Sequence, residues 1–189
     1  MRMPAAIAIG CSAGGVDALK AVIGGLDPRL SQTVLVCCHS SSDTIDLLCE
    51  VLGRNSALPV IEAAERHLAR SGVVQLAPTG YHLLVESDQH FALSIDPRVN
   101  YVRPSIDVLF SSAAEVWQGA LIGVILTGGN ADGAIGLQRI RQLGGIAIVQ
   151  SPSGAEVAAM PQAALDIAGA DYCADLSEIA PLLNRLCLA

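Results

Sequence analysis

The sequence predicts an α/β protein: a doubly wound, mostly parallel sheet flanked by helices, with an antiparallel hairpin excursion in the middle. Three observations carry that expectation. Short apolar runs of strand length alternate with segments of helical periodicity at both ends of the chain. Apolar residues make up 52% of the sequence and charged residues 15%, a balance that suits strands covered on both faces. A chain of 189 residues is long enough for one domain with a substantial core.

Taken in order, Ala5–Ile9 reads as the first strand. Gly15 to Ile23 then carries Val16, Leu19, Val22 and Ile23 at helical spacing, and Gly24-Gly25 stops it. Thr33–Cys37 is a second strand, ending in the polar turn Cys38-His39-Ser40-Ser41-Ser42. Ile45, Leu48, Cys49 and Leu52 follow one helical face, with Gly53 in the C′ place. The middle differs: Pro59–Glu62, Val73–Leu76, His82–Glu86 and Phe91–Ile95 are short β-like runs, with Ser87-Asp88-Gln89-His90 as a hairpin connection. They predict an antiparallel insertion between two parallel halves.

After Arg103-Pro104 the alternation returns. Ser105 is a good cap for a helix whose face is Ile106, Leu109, Phe110, Ala113, Val116 and Trp117. Leu121–Leu126 is a buried strand, followed by the Gly-rich loop from Thr127 to Gly133. Ile135, Leu137, Ile140 and Leu143 mark a further helix, Gly144-Gly145 its end, and Ile146–Val149 a strand. Pro161 suits the first position of a short helix running to Ile167. Asp175-Leu176-Ser177-Glu178 resembles a capping box for the last one. Residues 1–189 read as a single domain, with no internal repeat, linker or low-complexity tract.

The totals narrow the function. Net charge is −7 with a single lysine, Lys20, whereas tracking phosphates needs clustered Lys and Arg, so a nucleic-acid partner is not expected. No apolar stretch approaches the roughly 18 residues of a membrane span, so no membrane insertion is expected and the chain reads as cytoplasmic. Six cysteines (Cys11, Cys37, Cys38, Cys49, Cys173, Cys187) contain no C-x-x-C pair. They read as small apolar residues rather than as disulfides or metal ligands, and no cofactor is expected.

The chemistry concentrates where strands end. Gly10-Cys11-Ser12-Ala13-Gly14 after the first strand has the pattern of a sharp turn that lifts a nucleophilic hydroxyl to the sheet edge. The same glycines before a helix also suit a phosphate-binding loop of a nucleotide-binding domain, and this stretch alone supports both readings equally. A serine nucleophile needs a base and an orienting acid. His39 directly follows the second strand and so shares the carboxyl edge with Ser12. Asp132 stands in the loop after the strand Leu121–Leu126, at that edge again, though it would also serve as a helix N-cap. Of the other histidines, His67 and His90 read as solvated loop residues, and His82 could line a pocket. Asp43 and Asp46 lie nearer His39 in sequence but on the exposed start of a helix. The order Ser, His, Asp departs from the Ser, acid, His order of ordinary α/β-hydrolases.

With these residues in place, the chain resembles the catalytic domain of chemotaxis protein-glutamate methylesterases. The resemblance covers nearly the whole chain. It runs through Ile9 to Gly15, the histidine after strand two, Ala77 to Leu83, Arg103 to Phe110, Ile125 to Gly128, Asp132-Gly133-Ala134 and Met160 to Ala164. It implies hydrolysis of glutamate γ-methyl esters on chemoreceptor helices, with deamidation of particular receptor glutamines. Ser12 would be the nucleophile, His39 the general base and then acid, and Asp132 the orienting carboxylate, with backbone N–H groups near Ala13 and Gly129 holding the oxyanion. Three places depart from the family's usual residues: Cys38-His39-Ser40-Ser41 for a Gln-His-Met-Pro-like stretch, Gly129 for a methionine, and Glu65-Arg66-His67 for an Asp-Gly turn. Gly129 would loosen the oxyanion loop or enlarge the pocket, and the departures together suggest a catalytically idle receptor-binding scaffold as an alternative. The receiver domain of the family's longer members has no counterpart expected within these 189 residues.

Overall fold

The computed structural model describes residues 3–39 and 45–188. Its seven-stranded sheet is parallel throughout, in the order β3-β4-β2-β1-β7-β8-β9. The strands are β1 (Ala6–Cys11), β2 (Thr33–Cys38), β3 (Val60–Glu62), β4 (Val74–Leu76), β7 (Leu121–Ile125), β8 (Ile146–Gln150) and β9 (Tyr172–Ala174). β5 (His82–Val85) and β6 (Phe91–Ser94) form a separate antiparallel hairpin. The antiparallel insertion is therefore smaller than the sequence suggests. β3 and β4 join the main sheet as parallel strands, because β4 pairs with β2 through Val34–Val36. The edge strand β9 has no counterpart in the sequence reading; it is three residues long, with Cys173 exposed, too short to leave a periodic signal.

Among the described residues six α-helices cover the sheet: α1 (Gly15–Gly24), α2 (Asp46–Gly53), α3 (Ile106–Trp117), α4 (Ala134–Gln142), α5 (Ala159–Ile167) and α6 (Leu176–Cys187). Strand alternation sorts the core into two layers. Ile7, Ile9 and Cys11 of β1 pack with Leu19, Val22 and Ile23 of α1 and Ile179 and Leu183 of α6. Ala6 and Ala8 face the other way, into the layer of Ile106, Phe110, Leu137 and Ala164 from α3, α4 and α5. No helix among the described residues is long and apolar enough to cross a membrane.

Ser105 caps α3, accepting from the Val108 N–H, and Asp175 with Glu178 forms the capping box of α6. Two boundaries shift from the sequence reading. Gly53 is the last residue of α2 rather than its C′ residue, and Pro161 sits at the third position of α5, still within the first turn, where the N–H that proline lacks has no intrahelical acceptor.

Two close approaches position the functional edge. A side chain on Gly10 would run into Ile106 at the start of α3, and one on Gly123 would lie 2.6 Å from Ile140 Cδ1. Bare backbone at these points lets α3 and α4 lie directly on β1 and β7. The chain leaves β1 toward β2 on one side and later fills β7 on the other, so the topological switch point lies between β1 and β7. Crevices outside the carboxyl ends of strands at such a point are where open α/β sheets bind ligands.

Candidate active site

Ser12 follows β1 and His39 follows β2. Cys11 and Cys38 are register partners on these adjacent strands, so Ser12 and His39 leave the sheet side by side. The His39 N–H donates to the Cys11 carbonyl (3.1 Å), and the Ser12 N–H to the Thr127 carbonyl beyond β7 (3.0 Å). Gly14 then takes φ 74° and caps α1, a left-handed turn that favours glycine. The Glu156 side chain covers Gly14, its Oε2 2.6 Å from where a Cβ would stand.

Asp132 comes from the β7–α4 loop and is fully buried. It does not cap α4; that place is taken by Gly133 at φ 96°, without a side-chain cap. Its carboxylate instead lies at the start of α3 and accepts five hydrogen bonds. Oδ2 takes His39 Nε2 (2.8 Å) and the Ile106 N–H (2.6 Å). Oδ1 takes the Ser105 hydroxyl (2.7 Å), the Asn100 amide (3.1 Å) and the Asp107 N–H (3.3 Å). Burial is the largest single influence on this carboxyl and would raise its pKa. The donors from His39, Ser105, Ile106 and Asn100 outweigh it and hold the group below the ordinary carboxylate range. The unpaired N–H groups of a helix N-terminus favour a negative charge for the same reason. Asp107 shows the opposite balance: burial first, then the nearby charge of Asp132, push it up, against hydrogen bonds from Gly136 and Asn100.

A carboxylate only accepts, so His39 Nε2 carries the proton it shares with Asp132. That leaves Nδ1 as the basic nitrogen, buried and without a hydrogen-bond partner among the described residues. The structure thus joins His39 to Asp132 directly and to Ser12 through strand register. No hydrogen bond between the Ser12 hydroxyl and His39 forms among the described residues; such contacts often tighten only when substrate binds. The backbone N–H groups of Ala13 and Gly129 have no partner among the described residues.

The other candidates fall away from the site. His82 is buried with both ring nitrogens used: Nδ1 accepts from the Ser105 N–H (3.2 Å) and Nε2 donates to the Pro97 carbonyl (3.1 Å). It braces the start of α3 rather than lining a pocket. His67 is exposed, and His90 pairs with Asp88 on the β5–β6 hairpin. Asp46 opens α2, while Asp43 and Ser40-Ser41-Ser42 of the expected polar turn lie outside the described residues. Nothing lies within 4 Å of where a Gly129 Cβ would be, so the space beside that loop is open. Arg66 adopts φ 62°, the conformation that the usual glycine of that turn would supply, and Glu65 accepts from the Leu93 N–H (2.6 Å).

Sequence reasoning missed the residues that build the Asp132 cage. Ser105 was legible as a helix cap, but Asn100 and the N–H groups of Ile106 and Asp107 carry no local signal for that role. Thr127 also went unread: its hydroxyl donates to the Ala13 carbonyl (2.9 Å) and accepts from the Val157 N–H (2.9 Å), tying the Ser12 turn to the loops beyond β7 and β8.

The family model described as CheB methylesterase matches residues 7–183. The chain belongs to the CheB methylesterase family. A Leptospira interrogans relative, provisionally named protein-glutamate methylesterase/protein-glutamine glutaminase, is 44% identical over 181 residues, 96% of this chain and 94% of its own length. The Mesorhizobium japonicum protein of the same name is 37% identical across 96% of this chain, which spans 53% of that relative. Among solved structures, the Thermotoga maritima CheB methylesterase catalytic domain superposes with a TM-score of 0.93 at 29% identity, covering 98% of this chain and 100% of that one. The parallel sheet, its two helical layers and the small hairpin are the fold of a CheB catalytic domain.

Proposed function

We propose that this chain is a cytoplasmic serine esterase that hydrolyses glutamate γ-methyl esters on chemoreceptor helices, with Ser12, His39 and Asp132 as its triad. The observation that carries the reading is the buried Asp132–His39 hydrogen bond of 2.8 Å, made beside Ser12 at the switch point of a CheB fold. His39 Nδ1 takes the Ser12 proton as the oxygen attacks the ester carbonyl. The tetrahedral oxyanion is held by the N–H groups of Ala13 and Gly129, one such donor being worth about 3–4 kcal/mol. The intermediate collapses, His39 returns the proton to the departing methoxide, and methanol leaves. Water, deprotonated by His39, then releases the glutamate carboxylate and restores Ser12. Asp132 holds the tautomer and stabilises the imidazolium without accepting the proton itself. The names of its relatives pair esterase with glutaminase, and the same steps would deamidate a receptor glutamine with ammonia as the leaving group.

The test is methanol release from methylated receptor. Purified protein is expected to release it, and Ser12→Ala to slow the reaction by roughly 10⁶ in kcat. Release at the full rate by Ser12→Ala would exclude the triad. No release by the unaltered protein would favour a receptor-binding scaffold.

A further inference from the structure

Between β6 and α3 the chain makes a tight turn whose tip is built against local preference. Val99 and Val102 exchange two backbone hydrogen bonds (3.1 and 3.0 Å), leaving Asn100 and Tyr101 as the two turn residues. Their φ angles are 50° and 67°. A two-residue turn with both φ positive calls for Asn-Gly or Asp-Gly. Asn100 fits its place; a tyrosine in the second place is strained.

Packing does not explain Tyr101, because it is 93% exposed. Nor is the segment loose. The Asn100 amide bridges Asp132 Oδ1 (3.1 Å) and Asp107 Oδ2 (3.0 Å), Arg103 donates to the carbonyls of Ile95 and Asp96, and His82 donates to that of Pro97. A strained, exposed aromatic is thus held rigidly, one residue from a direct ligand of the Asp132 carboxylate. Strain kept where structure does not require it marks function.

Two further apolar side chains stand in solvent on elements that meet at Asp132: Ile95 at the stem of the same loop (73% exposed) and Ile135 in the first turn of α4 (55%). Arg98, on the loop between them, has no ion-pair partner among the described residues. An aromatic anchor with apolar neighbours and one free cation fits an amphipathic protein helix that carries glutamates beside the reacting ester.

We infer that Tyr101 is a substrate-contacting specificity residue, packing on the receptor helix that presents the ester to Ser12. This rests on the esterase reading above. Tyrosine is among the residues that dominate protein–protein contacts, because it buries a large rigid surface with few rotors to fix.

The experiment compares kcat/KM for methylated receptor with kcat/KM for a small ester, p-nitrophenyl acetate, in the unaltered protein, Tyr101→Gly, Tyr101→Ala and Tyr101→Phe. Tyr101→Gly relieves the turn, so its Tm is expected to hold or to rise by up to about 3 °C. The receptor-to-small-ester ratio is expected to fall about tenfold in the Gly and Ala variants, through KM, and to recover in Tyr101→Phe. An unchanged ratio overturns the inference, and so does a parallel fall for both substrates, which would mean that Tyr101 serves the catalytic geometry alone. If the unaltered protein cleaves the small ester but not the receptor, the receptor-esterase reading falls and takes this inference with it. A ratio unchanged in an enzyme that does cleave the receptor removes only the role of Tyr101.

Discussion

Asp132 accepts five donors, and none of its neighbours in sequence is among them. This is what makes a single-atom change there informative. In Asp132→Asn one oxygen becomes an NH₂ that must face donors on either side, and His39 loses the charge that orients it. Ester hydrolysis is expected to drop by about 10⁴ in kcat, as when the acid of comparable triads is neutralised. Ser105→Ala separates support from chemistry, because it removes one donor to Oδ1 and the α3 cap while leaving the His39 bond in place. It should cost about 1 kcal/mol of stability as a lost cap and reduce kcat far less than Asp132→Asn. Thermal melts and steady-state rates on the two variants check both statements; equal losses of kcat would mean that the cage, rather than the His39 contact, sets the rate.

At the scale of elements, α3 carries the site although it holds no reacting atom. Its first turn supplies the N–H groups that keep Asp132 ionised, and it reaches that position only because Gly10 lets Ile106 lie on β1. Gly10→Ala is therefore expected to push the start of α3 away from the sheet. Overpacking of this kind costs about 1–3 kcal/mol, and esterase activity should fall with it because the Asp132 donors move. Removing the obstructing Cγ2 tests the cause: in the double variant Gly10→Ala with Ile106→Ala, the loss of Tm and rate should be smaller than the sum of the two single losses. Additive losses in both measurements would place the damage elsewhere in β1.

For the whole molecule, the two buried carboxylates at the start of α3 give folding a distinct acid response. Asp132 is lowered in the folded state, so its contribution is complete above the unfolded pKa of about 3.9 and is lost as pH falls through the lower folded value. Asp107 is raised; its contribution is present below the unfolded value and fades as pH rises through the folded one. Asp27, drawn down to about 2 by hydrogen bonds from Arg29, titrates alike in all variants. Tm is therefore expected to fall more steeply between about pH 5 and pH 2 in the unaltered protein than in Asp132→Asn. Parallel curves for the two would show that the cage does not hold the carboxylate down.

Much of this was legible in the chain because it is local. Ser105 and Asp175 announce helix starts through their own side chains, the glycines around Ser12 announce a turn, and apolar runs of five or six residues announce buried strands. Those signals were enough to put Ser12, His39 and Asp132 each just beyond a strand. The pairing of β3 and β4 with the parallel sheet, the strand β9 and the end of α2 were not legible, since short strands take their identity from the neighbour they bond to. Periodicity and turn chemistry thus determined the α/β class and the three candidate residues. Only the tertiary structure decided that Asp132 serves α3 rather than caps α4, because its hydrogen-bond donors come from 25 to 93 residues away in sequence, and such contacts exist only once the sheet has brought its strand ends together.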